Sequence, residues 1–105
     1  MTAPVRTDAE RTAALDRALE VRRERAMLRA DLRERRVRAV DVVRGIDRDP
    51  SWAALPVVWL LKAVPGFGDV RAERALHDIG ISRTRRLQGL GERQRAELIA
   101  LLADR

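Results

Sequence analysis

The stretch LKAVPGFGDVRAERAL at residues 61–76 constrains the fold more than any other part of the chain. It joins an apolar run to an amphipathic one through a tight turn. Pro65 cannot continue the first helix without losing a backbone donor. Gly66 and Gly68 flank Phe67 and admit backbone angles that other residues resist. Asp69 stands where a cap or first-turn acid is favoured, and Val70, Ala72, Ala75 and Leu76 begin a new amphipathic run. A turn of this kind leaves unpaired N–H groups at a helix start, a natural cradle for an anion. It also serves as a compact connection between two helices.

The rest of the chain reads as helix as well. No Gly or Pro occurs from Val5 to Arg44, and Ala, Leu, Arg and Glu dominate. Thr7-Asp8-Ala9-Glu10 has the pattern of a capping box, so residues 1–6 are expected to fray and a long helix to run to about Arg35 or Arg36. Its apolar residues change side. Leu15, Ala18, Leu19 and Ala26 lie on one face, with Val21, Leu28 and Leu32 nearly opposite. The C-terminal half is therefore expected to dock, while the N-terminal half projects or lies loosely. A short helix is expected at 38–44, with Val40 and Val43 inward and Gly45 as its stop. A turn at 47–50 and one helical turn at 51–54 follow.

Pro56 suits the first position of an apolar helix over 57–64, with Trp59 in the core. The next helix, 69–79, should turn Val70, Ala72, Leu76 and Ile79 inward and close on Gly80 and Ile81. Ser82 is placed to cap one helical turn anchored by Leu87 and Leu90. Gly89 and Gly91 form a second tight turn. A last helix over 92–103 carries Ala96, Ile99 and Leu102 on one stripe, with Leu98 and Leu101 beside it. The expected fold is all-α: an N-terminal helical arm over residues 1–36, then a compact helix-hairpin-helix or helix-two-turn-helix domain over 37–105.

Charge points to the partner. The chain has 105 residues and a net charge of +6, and basic charge attracts polyanions. Lys62 is the only lysine. Arginine suits forked phosphate contact, and a GC-rich genome would equally enrich it. Residues 81–95 hold five arginines against Glu92 alone, so most of the excess lies there. Arg17, Arg22, Arg23, Arg25 and Arg29 decorate the long helix with Asp16, Glu20 and Glu24 among them. They read either as a solvated face or as an arm that touches DNA backbone. Neither turn has aromatics interleaved with arginine, so single-strand stacking is not favoured, and no helix is built to read a major groove. Backbone contact with little sequence preference is the expected mode.

Catalysis is not indicated. There is no Ser/His/Asp arrangement, phosphate-binding Gly-Lys loop or metal-ligand pattern, and with no cysteine and one histidine neither a disulfide nor a metal cluster is expected. No cofactor and no small-molecule substrate are expected. The N-terminus has no apolar signal region and the chain no run long enough to span a membrane, so a cytoplasmic protein is the default.

Four blocks together resemble the actinobacterial integration host factor family. They are Thr7-Asp8-Ala9-Glu10-Arg11, Arg22-Arg23-x-Arg25-Ala26, Leu61-x-x-Val64-Pro65-x-Phe67-Gly68, and the run from Thr84 through Leu87-Gln88-Gly89 to Arg95. The resemblance implies a small all-α, nucleoid-associated protein that binds, bends or compacts double-stranded DNA. By position, Gly66, Phe67 and Gly68 with Arg85 and Arg86 would meet the phosphate backbone beside the minor groove, with Arg71 and Arg83 nearby. The family commonly carries basic residues where this chain has Gly66, Asp69 and Gln88. These departures imply weaker binding and a shallower salt dependence. A helical protein-interaction module, with a protein partner on the two-sided N-terminal helix, is the alternative. RNA binding is a third reading, by analogy with two-turn hairpins in ribosomal proteins.

Overall fold

The computed structural model describes residues 7–105, so the fraying expected of residues 1–6 lies outside it. The described residues form six helices and one 3-10 turn, with no strand among them. α1 spans Asp8–Arg33. The Thr7 hydroxyl accepts from the Glu10 amide at 3.1 Å, and the Glu10 carboxylate accepts from the Thr7 amide at 3.3 Å. The capping box therefore forms. The helix stops slightly earlier than expected. Arg35 takes a left-handed conformation (φ 61°), and the Arg36 and Arg35 amides turn back to the Asp31 and Leu32 carbonyls at 2.8 and 3.2 Å. This closing motif usually carries glycine at the left-handed position. Arg36 also pairs with Asp31 and Glu34.

Only Leu28 and Leu32 of α1 are buried, whereas Leu15 and Met27 are 65% and 67% exposed. The C-terminal half of α1 thus meets the core and the first half stands clear of it. α2 (Ala39–Arg44) is buried on nearly every side through Ala39, Val40, Val42 and Val43. Gly45 ends it, and the Trp52 ring packs so closely there that an added Cβ would lie 2.8 Å from it.

α3 (Pro50–Ala53) is a single turn capped by Asp49, whose carboxylate accepts from the Ser51 hydroxyl at 2.6 Å and the Ser51 amide at 3.0 Å. The Ser51 hydroxyl, first of all, holds the Asp49 carboxyl below its ordinary value; the Ser51 and Trp52 amides act in the same direction. Asp49→Ala is expected to cost about 1 kcal/mol at neutral pH. A depressed folded-state value means the anion's stabilisation is complete above the unfolded value of about 3.9 and is lost as pH falls through the lower folded one. Urea unfolding at neutral and acid pH should therefore show the gap between wild type and variant narrowing in acid.

α4 (Val57–Ala63) buries Val57, Leu60 and Leu61. Pro56 sits at its cap rather than its first turn, because it pairs in an isolated antiparallel bridge with Arg86. α5 (Asp69–Ile79) buries Ala72, Ala75, Leu76 and Ile79. Val70 does not face inward as expected; it is 83% exposed, because the inward line of α5 begins at Ala72. The left-handed Gly80 (φ 81°) closes α5, and Ile81 is buried after it. The 3-10 turn covers Leu87–Gly89, and α6 spans Glu92–Leu102. Ser82 opens a plain turn and not a helical one: the Arg85 amide reaches the Ser82 carbonyl at 3.1 Å. In α6 the core line is Leu98 and Leu102, while Ala96 is exposed. Trp59 is half-buried at the rim instead of in the core, with the Arg29 guanidinium 5.2 Å above its ring.

Candidate nucleic-acid interface

The hairpin follows α4 directly. Val64 ends the helix, and the Phe67 amide bonds the Val64 carbonyl at 3.1 Å. Gly66 and Gly68 both have positive φ, 74° and 61°. A side chain at either would meet open space but a strained backbone. Phe67 is 3% exposed. Its ring is withdrawn into the core under the Arg105 guanidinium, 5.3 Å away, and its amide is given to Val64, so Phe67, expected to meet a phosphate, shapes the turn instead. No side chain caps α5 at Gly68, and Gly68, Asp69, Val70 and Arg71 are exposed. The first amides of α5 therefore face solvent with the positive end of the helix dipole behind them. Asp69 places a carboxylate in that same turn.

The second turn is held against the first helix of the hairpin. The Val57 amide donates to the Arg85 carbonyl and the Leu87 amide to the Leu55 carbonyl, both at 2.9 Å. Leu55 and Leu87 are buried on either side. These bonds fix the backbone that carries the arginines. The arginines themselves are not equivalent. Arg85 folds back and donates to the Gly89 carbonyl at 3.0 Å. Arg83 pairs with Glu73 at 3.0 Å, and Lys62 reaches the same carboxylate at 3.6 Å. Arg71 and Arg86 are exposed and form no ion pair among the described residues.

Two arginines of the basic second stretch belong to the scaffold. Arg93 donates to the Ile79 carbonyl at 3.3 Å and pairs with Glu97 at 2.8 Å. Gln94 bridges Gly80 and Gly91, donating to the former's carbonyl and accepting the latter's amide, each at 2.9 Å. Arg95 lies 3.6 Å from Asp47. Thus α6 opens by satisfying the orphan carbonyls at the end of α5. Lys62 was not among the expected site residues because its neighbours are apolar. It is exposed on α4, where Glu73 links it to Arg83. Among the described residues no acidic or histidine cluster could hold a metal.

The surface thus offers two kinds of donor: exposed amides at the first turn, and forked guanidinium groups at and near the second. The match to known proteins is close. The chain is 37% identical over 99 residues to the integration host factor of Mycobacterium tuberculosis, covering 94% of each protein. The integration host factor of Mycolicibacterium smegmatis matches equally, and that of Streptomyces coelicolor is 36% identical over 98 residues, with 93% and 92% coverage.

The chain belongs to the integration host factor family.

Residues 32–102 also match the family model described as S13-like H2TH domain, so the segment from the end of α1 through α6 is a helix-two-turn-helix unit. Among solved structures, sIHF bound to an 8 bp palindromic DNA superposes with a TM-score of 0.76 at 32% identity, covering 83% of this chain and 98% of that one. The all-α fold with a long N-terminal helix agrees with this relationship.

Proposed function

We propose that this member of the family is a non-catalytic architectural protein that grips duplex DNA by its phosphate backbone and acts in the nucleoid. The observation that carries the reading is that its relative sIHF, of the same fold, was solved on DNA. The two-turn surface supports it. The amides at Gly66 and Gly68 and at the N-terminus of α5 take one phosphate, while the Phe67 amide, bonded to the Val64 carbonyl, holds the turn in shape. Arg71 and Arg86 supply free guanidinium groups, and Arg83 joins them when it exchanges Glu73 for a phosphate. Arg85 contributes by bracing Gly89, which holds the turn in shape. Residues 37–105 are the binding unit and residues 1–36 the arm. Among the described residues, no helix is long and apolar enough to cross a membrane.

Contact by backbone amides and arginines reads phosphates, not base edges, so sequence preference is weak. Fluorescence anisotropy with duplexes of unrelated sequence should give similar affinities. Affinity should fall at least about tenfold between about 50 mM and about 200 mM salt, as counterion release at a few phosphates requires. Failure to bind any duplex at the lower salt would sink the proposal.

A further inference from the structure

A cleft of about 270 Å3 opens between the end of α1, the start of α2, the end of α4 and the residues that follow α6. Leu32, Val37, Val64 and Pro65 give it apolar walls. Arg35, Arg38 and Arg105 stand around them with one acid, Asp104. None of the residues given a phosphate above lines it. Arg35 carries the sharpest signal. Its left-handed backbone (φ 61°) is the conformation that glycine adopts at low cost, and a larger residue there is strained. Its neighbour Arg36 takes both nearby acids, Asp31 and Glu34. Arg35 is left exposed, with no ion pair among the described residues. Arg38 reaches across to donate to the Ala103 and Arg105 backbone oxygens. Arg105 is steadied over the Phe67 ring, 5.3 Å away.

From these observations we infer that the cleft binds a small amphipathic anion: one phosphate or carboxylate group carried on an apolar body the size of an aromatic ring. Three arginines against one aspartate leave its lining with a net charge of +2. Forked guanidinium donors suit either head group. The apolar walls favour a ligand with a body to bury over a bare inorganic ion. The volume falls just below the usual range of ligand pockets, which begins near about 300 Å3, so the occupant is small. A cleft of that size takes one head group and not a row of phosphates, so the ligand is a free molecule and not a duplex. The strain at Arg35 then has a use. Glycine would close α1 at lower cost, but the head group would lose one of its donor forks.

Calorimetric titration of the full chain with phenyl phosphate, phenol and inorganic phosphate tests the site. No DNA is present, so the outcome is independent of the duplex-binding reading. Phenyl phosphate should bind at least about tenfold more tightly than either of its halves, because it alone uses the walls and the arginines together. In amide NMR spectra the signals of Val37, Ala39 and Arg105 should move. Arg35→Gly should weaken phenyl phosphate binding by about tenfold, the loss expected for a hydrogen bond to a charged group. The same variant should raise the thermal midpoint, because glycine relieves the left-handed backbone. A merely structural role for Arg35 would not lower affinity while raising stability. Arg86→Ala, on the second turn, should leave phenyl phosphate binding unchanged. No binding by wild type, an undiminished affinity in Arg35→Gly, or NMR shifts confined to residues 68–71 would overturn the inference. So would displacement of phenyl phosphate by a short duplex together with a lower salt slope for duplex binding in Arg35→Gly, which would give the arginine to DNA.

Discussion

Leu87→Ala is expected to lower the unfolding free energy by about 3 kcal/mol and the thermal midpoint by roughly 10–20 °C. Leu87 is 1% exposed and begins the 3-10 turn that directly follows Arg85 and Arg86. Its amide is tied to the Leu55 carbonyl at 2.9 Å, and Leu55 is itself buried. Truncation removes apolar contacts and leaves a cavity that the turn cannot close, because backbone bonds hold both of its walls. Leu87→Met conserves the volume and should cost less than about 1.5 kcal/mol. Urea and thermal unfolding of the pair decide the matter. A loss below about 1 kcal/mol for the alanine variant would mean that the second turn collapses onto α4. The bond pattern would then be weaker than its geometry implies.

The parts of the fold legible in the sequence are those carried by local chemistry. Thr7 and Glu10 cap α1 because both partners lie within one turn. Pro65, Gly66 and Gly68 end one helix and start another because only their backbone angles allow it. Gly80 and Ile81 close α5 by the same logic. What stayed hidden depends on segments brought together by folding. Arg93 reads as part of a basic cluster until the end of α5 supplies the Ile79 carbonyl fourteen residues away. Arg83 looks free until Glu73 approaches from α5. Val70 is apolar and begins a helix, so hydropathy sends it inward, yet the core line of α5 starts two residues later. Ser82 has the right chemistry for a cap, but the bridge between Pro56 and Arg86 holds that backbone extended.

Arg83→Ala together with Arg86→Ala is expected to weaken binding to duplex DNA on the order of a hundredfold at about 50 mM salt. Each lost phosphate contact removes about 0.9 from the salt slope, which extrapolates to roughly fifteenfold per contact at that concentration. Two contacts alone would give roughly two hundredfold. The ion pair of Arg83 with Glu73 trims the figure, because Arg83 must first leave that carboxylate. The pair is solvent-exposed, with Arg83 69% accessible, so breaking it costs no more than about 1 kcal/mol. Arg85→Ala is the informative contrast. Its guanidinium is already committed to the Gly89 carbonyl, so its loss should change duplex affinity by less than about threefold and leave the slope unchanged. Anisotropy titrations at several salt concentrations measure both quantities at once. If Arg85→Ala lowers the slope as much as the removal of Arg86 alone, Arg85 must swing away from Gly89 to reach a phosphate. The turn would then open on binding, and the preformed site would be the amide cradle alone.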